Sequence, residues 1–437
     1  MYAQGSEPDP RFSMANERTA LAWVRTALAF VAGGVGLTSV VRLADLSRAL
    51  GRLGVDVVVH TRRDDPALPR RVRFAERVWV DHVDAGPATP LPKDDLLEHV
   101  PAFADDLDRV WRDERPDVVH SHFWMSGLAA LEAAGALGIP VAHTYHALGV
   151  VKRRHQGAAD TSAPVRIDVE RRLAREADRI IATTCDEQAE LVAMGGDPST
   201  ITVVPCGVDL ARFRPGGPAT GTPGGRVRVV VVSRLVERKG IGNVIEALPS
   251  LPEVDLVIAG GPPAGMVDED PEARRFAQLA DRLGVGRQVE LLGAVSRDAV
   301  PALVRSADIV ACCPWYEPFG LVAVEAMACG VPVVASGVGG LAESVLDGVT
   351  GIHVRPRSPG DIAAAIRALV EDEPRRRAMG AAGARRALRF GWDRVAADTL
   401  AVLRQLPTPR TATVSAPVST GTGRAGTRRT TTGRRFT

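Results

Sequence analysis

Short runs of β-branched residues recur along this chain, each followed by a stretch with helical spacing, and the pattern stops once and then resumes. The first series comprises Val57-Val58-Val59, Val118-Val119, Val141-Ala142, Arg179–Ala182 and Ile201–Val204. The helical spacing between runs is clear ahead of Val57, where Leu43, Leu46, Ala49, Leu50 and Leu53 recur on one face. Pro215–Gly225, rich in Gly, Pro and Thr, reads as a linker. Strand-like runs then return at Arg228–Val232, Val254–Ala259, Val289–Leu291, Ile309–Ala311 and Val331–Ala335. Strand alternating with helix specifies a doubly wound parallel sheet. Two such halves joined by a linker predict two α/β domains facing a cleft.

A length of 437 residues fits two domains with appendages. The formal net charge of +2 gives no global signal for nucleic acid, and no nucleic-acid partner is expected. Five cysteines, Cys185, Cys206, Cys312, Cys313 and Cys329, lack metal-ligand spacing and read as small buried hydrophobes in a reducing compartment, the cytoplasm. The boundaries expected are an apolar segment at 1–40, a first domain at 41–215, a second at 226–391, a C-terminal helix at 392–406 and a tail at 407–437. The tail, built of Thr, Gly, Arg and Pro, is expected to be disordered and basic. Leu21–Val41 is apolar except for Arg25 and small polar residues, about the length of a bilayer-spanning helix. A buried helix and a signal sequence are the alternatives; the absence of a basic start near Met1 and of a clear cleavage site argues against the latter. If 18–41 inserts, the protein attaches to the inner face of the cell membrane.

The candidate site residues fall at strand ends. Ser233–Gly240 follows the strand ending at Val232, where open α/β sheets bind ligands. Arg234 and Lys239 there can meet a diphosphate, one as a planar fork and the other as a point charge. The string from Pro314 to Ala326 leaves another strand and opens a helix at Gly320-Leu321, whose N–H groups attract phosphate. Glu317 can accept hydrogen bonds from sugar hydroxyls, and Glu325 can hold a ribose diol. The same two carboxylates can also be a general acid and base of glycosidase type. Gly337–Gly340 allows close backbone approach to a ligand. In the first half, His120–Trp124 and His143–His146 end strands; a metal site is the alternative there, but lacks carboxylate support. Lys152–His155 is a basic cluster suited to an anionic or hydroxyl-rich acceptor, or a solvated loop. Gly207-Val208-Asp209 and Phe213 read as a structural turn.

These residues carry a resemblance. With Arg62–Pro66, Pro90–Lys93, His120–Gly127, His143–His155, Val204–Pro215, Ser233–Gly240, Glu317–Ser336 and Trp392-Asp393-Arg394, the chain from about Val41 to Leu406 resembles the family-4 glycosyltransferases of GT-B fold. Within them it is similar to the inositol-phosphate glycosyltransferases and to sucrose-type synthases. The resemblance implies two Rossmann-like domains and retaining hexosyl transfer from a UDP- or GDP-sugar to a hydroxyl acceptor, with no further cofactor and no metal. It implies Arg234, Lys239, Glu317, Phe319, Gly320, Leu321 and Glu325 around the donor, and Lys93, Phe123, His146 and Lys152 on the acceptor side. His146, Arg234, Lys239 and Glu317 are the catalytic set. Same-face attack is then assisted by the leaving phosphate, and catalysis is positioning and charge stabilisation.

Two departures stand out. The resembling inositol-phosphate enzymes carry Tyr and Thr where this chain has Phe123 and Ala147, so two acceptor-side hydroxyls are gone. The resemblance also implies a first strand and Gly-rich loop ahead of Leu43. Here Asp9–Phe12 and Asn16–Leu28 instead resemble the first segment of small bacterial membrane proteins of the domain of unknown function 202. The first domain is therefore expected to lack its opening strand. The alternative to an active transferase is a fused or truncated chain that binds nucleotide with little turnover.

Overall fold

The computed structural model describes residues 38–217 and 226–406. The segments carrying the membrane expectation and the resemblance to the domain of unknown function 202, up to residue 37, lie outside the described residues, as does the tail from 407. No helix among the described residues is long and apolar enough to cross a membrane.

The first domain opens with helix α1 (Thr38–Arg52), which buries Leu46, Ala49 and Leu50 and ends on Arg52, a cation at the negative end of the helix dipole. Strand β1 (Val57–Arg62) follows, then β2 (Arg71–Ala75) and β3 (Val78–Val83). They form a three-stranded sheet in the order β1-β3-β2, with β1 parallel to β3 and β2 antiparallel. The hairpin escaped the sequence because β2 is arginine-rich. Arg71 places its guanidinium on Asp81 at 2.6 and 2.7 Å and on Glu114, so the charges are satisfied across strands rather than solvated.

Helix α2 (Val100–Asp113) leads to a second sheet: β4 (Val119–His122), β5 (Val141–Thr144), β6 (Arg179–Ala182) and β7 (Ile201–Val203), all parallel. Helices α3 (Trp124–Leu137), α4 (Gly149–Gln156), α5 (Arg166–Glu176) and α6 (Cys185–Ala193) connect them. Among the described residues no strand lies between β1 and β4, and the two sheets stay separate.

The second domain is one six-stranded parallel sheet, made of β8 (Val227–Val232), β9 (Val254–Pro263), β10 (Val289–Ala294), β11 (Ile309–Cys312), β12 (Val333–Ser336) and β13 (Gly351–Val354). The order is β10-β9-β8-β11-β12-β13. The chain winds outward from β8 in one direction and from β11 in the other. The boundary between β8 and β11 is therefore the switch point, where loops diverge and leave a crevice. Helices α7 (Ile241–Ala247) and α8 (Leu321–Ala328) start just beyond those two loops.

The last helix, α9 (Trp392–Leu403), returns to the first domain. Ala396 joins Leu46, Ala49 and Leu50 of α1, while Val395 and Val402 pack with Ile181 and Val204. Gly207 lies under the Trp392 ring, and Val208 bridges Gly391, which accounts for the Gly207-Val208 turn structurally. Cys206, Cys313 and Cys329 are buried, but Cys185 is exposed at the start of α6, contrary to the expectation of five buried thiols.

Candidate functional site

The loops leaving β8 and β11 interlock. Gly240 holds φ +70°, and a Cβ there would collide with the Cys313 carbonyl oxygen, so only glycine lets the first loop pass under the second. Trp315 N–H donates to the Arg238 carbonyl at 2.9 Å. The result is an ion pair between Lys239 Nζ and Glu317 Oε2, each side chain 19% exposed. Arg234, in the same loop as Lys239, is exposed. Crowding by protein and then by Arg238 lowers its pKa, with Glu317 opposing.

Gly320, at φ +86°, caps α8 at its N-terminus, and the side chains on either side of it turn inward. Phe319 is 4% exposed and meets Phe390 edge-on at 6.0 Å, and Leu321 is 8% exposed. Those two residues therefore serve packing through their side chains and leave only backbone for a ligand. Glu325 sits half-buried within α8. The glycines at 339 and 340 approach protein rather than open space: Cβ atoms there would strike the Glu317 and Pro318 carbonyl oxygens. Gly340 N–H donates to the Glu317 carbonyl at 3.0 Å, holding that loop in place. One contributor had no sequence signal. Arg357, at φ +59°, lays its guanidinium 3.7 Å over the Trp315 ring.

Across from these loops, the first domain presents histidines at the ends of β4 and β5. His122 Nδ1 and His146 Nε2 share a hydrogen bond of 2.9 Å, and the rings stack at 5.2 Å. Phe123 tilts on His146 at 4.7 Å. Both Phe123 and His146 hold left-handed backbone, φ +67° and +62°. Such conformations cost on the order of 1–3 kcal/mol each and concentrate where a side chain must be aimed. A buried brace fixes the His146 loop. Arg166 pairs with Glu170 at 2.6 Å and donates to the Ala147 carbonyl at 2.7 Å, while Glu170 also accepts from Gly149 N–H at 2.7 Å. This brace was not legible from spacing, because Arg166 and Glu170 look like an ordinary exposed i,i+4 pair.

Burial pulls the His120 imidazole down to about 4 and that of His143 to about 3, and drives that of His122 well below its usual value. These three rings are neutral near pH 7. Among the described residues no cluster of His, Cys, Asp and Glu is placed to hold a metal. Lys152, expected on the acceptor side, is engaged within its own domain: it pairs with Asp160 and donates to Ser162, each at 2.8 Å. Burial opposes ionisation of Asp160, but Lys152 and Ser162 outweigh it and hold the carboxyl at about 2. Lys93 opens a short 3-10 helix, Lys93–His99, and its side chain lies outside the described residues.

The two halves meet at Tyr316. Its ring stacks on His155 at 4.9 Å, and its hydroxyl donates to Asp186 at 3.0 Å. Beside it, Glu343 of the second domain accepts from the N–H groups of Cys185 and Asp186, at 3.0 and 2.9 Å, at the start of α6. The residue next to Glu317 thus fixes where the second domain's loop stands against the first.

Comparison with known proteins agrees with this arrangement. Residues 39–212 match the family model for Glycosyltransferase Family 4, and residues 218–386 match that for Glycosyl transferases group 1. The chain is 39% identical over 369 residues to D-inositol 3-phosphate glycosyltransferase of Mycobacterium tuberculosis, covering 82% of this chain and 76% of that one. Among solved structures, sucrose-phosphate synthase from Thermosynechococcus elongatus superposes with a TM-score of 0.75 at 29% identity, over 84% of this chain and 93% of that one. The Anabaena protein HepE, solved with UDP and glucose, superposes at 0.66 over 84% of this chain and 95% of that one; at 22% identity the likeness is one of fold. The chain therefore belongs to the family-4, group-1 glycosyltransferases and has their GT-B fold of two Rossmann-like domains.

Proposed function

We propose that the protein transfers a hexosyl group from a UDP- or GDP-sugar to a hydroxyl acceptor with retention of configuration. The observation that carries this reading is the Lys239–Glu317 pair at the switch point between β8 and β11, with Arg234 alongside. The ammonium and the carboxylate pair with each other. A donor entering there replaces both partners at once: its diphosphate takes Lys239 and Arg234, and its sugar hydroxyls donate to Glu317. Glu325 then receives the ribose hydroxyls, and the Gly320–Leu321 backbone faces the phosphates.

The charge that grows as the glycosidic bond breaks resides on the leaving diphosphate. Two cations already held in place stabilise it without reorganisation. His146 acts from the first domain beside the reacting carbon, oriented by its bond to His122. On the acceptor side Phe123 and Ala147 offer no hydroxyl, which disfavours inositol phosphate; the acceptor is a sugar, a sugar phosphate or a glycolipid precursor. A site that lacks hydroxyls its relatives use discriminates against ligands that need them. Cysteines without disulfides and a nucleotide-sugar substrate suit the cytoplasm. Attachment to its membrane through 18–41 is tested by vesicle flotation.

The test is transfer from a panel of nucleotide sugars, with Glu317→Ala and Lys239→Ala as controls. Parent-like rates in both variants would remove the site assignment. A second reading, nucleotide binding with little turnover, rests on the separation of the two sheets of the first domain among the described residues. Calorimetric binding of UDP without transfer to any acceptor would support it.

A further inference from the structure

The Glu317 loop is held on both flanks by one helical turn of the other domain. On one flank, the Tyr316 ring packs against the core of the first domain and stacks on His155 at 4.9 Å. Its hydroxyl donates to Asp186 at 3.0 Å. Burial, and then the Asp186 charge, push that hydroxyl above its usual pKa, so it stays protonated as a donor. On the other flank, Gly340 N–H donates to the Glu317 carbonyl at 3.0 Å. Gly340 lies on the short helix Gly339–Ser344, and Glu343 of that helix accepts from the N–H groups of Cys185 and Asp186. The contacts close a ring, from Asp186 through Tyr316, Glu317, Gly340 and Glu343 back to Asp186. The domains meet tightly there, because a Cβ at Gly340 would lie 2.8 Å from the Thr184 side chain. The first turn of α6 is in turn fixed within its own domain. Thr184 caps the helix by accepting from Glu187 N–H at 3.0 Å, and Glu187 accepts from Thr183 N–H and hydroxyl at 2.6 and 2.8 Å.

We propose that Tyr316 is a positioning residue that acts through Glu317, setting the sugar end of the donor site against the first domain. The role rests on the reading of Glu317 as the sugar-binding carboxylate. Tyr316 itself touches no substrate. Its bond to Asp186 fixes the residue before Glu317, and the Gly340 bond fixes the Glu317 carbonyl, so the carboxylate is aimed from both sides. Losing the Asp186 bond frees one flank. The diphosphate end is held differently: Arg234 and Lys239 come from the β8 loop and contribute no bond to the ring. Nucleotide affinity should therefore not depend on Tyr316, whereas use of the sugar should.

Transfer kinetics over the panel of nucleotide sugars, with calorimetric titration of UDP, test this on the full-length chain. Tyr316→Phe keeps the ring on His155 and loses only the hydroxyl. It should lower kcat/KM for the nucleotide sugar about 3- to 10-fold while the UDP dissociation constant stays within about twofold. Asp186→Ala should match it, and the double variant should lose no more than the worse single. Asp186→Asn, which keeps an acceptor oxygen, should restore most of the activity. Loss of fold would instead lower the fraction of chain that binds UDP, which the same titration counts. Should Tyr316→Phe misfold, Asp186→Ala and its Asn rescue carry the test. A parent without transfer, or a parent-like Glu317→Ala, removes the reading of Glu317 and this role with it. An impaired Glu317→Ala beside a parent-like Tyr316→Phe overturns the positioning role alone. So does a Tyr316→Phe whose UDP affinity falls as far as its kcat/KM, or no rescue by Asp186→Asn.

Discussion

Lys239 and Glu317, 78 residues apart in sequence, form an ion pair across the switch point of the second domain's sheet, each from a loop leaving a different strand. Neither loop holds its position alone. Lys239→Ala leaves a part-buried carboxylate without its cation and takes one charge from the leaving group. We expect kcat/KM to fall by roughly 10²–10³-fold. Glu317→Gln should lower activity while preserving UDP affinity, since in the proposed site it removes a sugar contact and no phosphate contact. The double variant should lose far less than the product of the singles. Steady-state kinetics with calorimetric UDP titration checks all three, and strict additivity would count against a shared site.

Gly240 offers a separate test of that geometry. Gly240→Ala forces a Cβ against the Cys313 carbonyl and a non-glycine residue into φ +70°. The expected cost is about 1–3 kcal/mol of stability, with a loss of activity larger than the loss of fold because Lys239 is the adjacent residue. Thermal unfolding and transfer rates measured on the same preparation separate the two effects.

The buried histidines make the first domain acid-sensitive. Unfolded, their imidazoles titrate near 6.5; folded, His120 and His60 titrate at about 4 and His143 at about 3, chiefly through burial. As pH falls from 6.5 toward 4, the unfolded chain binds more protons than the native one, so stability present at neutral pH is lost. Tm should drop by at least about 5 °C between pH 7 and pH 5, and His120→Asn should flatten that slope. A level Tm over this range would contradict the burial of these rings.

Phe123 contacts His146 at 4.7 Å in a strained backbone, so substitutions there test the proposed acceptor side. Phe123→Tyr combined with Ala147→Thr should raise transfer to inositol 3-phosphate at least about tenfold, since each restored hydroxyl can contact the acceptor phosphate. Activity of the parent on inositol 3-phosphate that matches or exceeds that of the pair variant would sink the acceptor assignment.

Much of this was decided by local pattern. Alternation of β-branched runs with helical spacing fixed the α/β class and the two-domain division, because periodicity reports which faces must be buried. The strings around Lys239 and Glu317 marked two loops that meet at the switch point, because glycine placement and clustered charge are local properties. The β2–β3 hairpin was hidden, since the arginines of β2 find acids only on other elements. The brace of Arg166 and Glu170 and the Arg357–Trp315 stack were hidden for the same reason: their partners are set by packing. The sequence by itself also raised the expectation that an opening strand is missing before Leu43. Only the tertiary structure decided how the described strands of that domain pair, β1 with β3 and β4 with β5 in separate sheets, because strand pairing joins residues far apart in the chain and leaves no trace in the order of either strand.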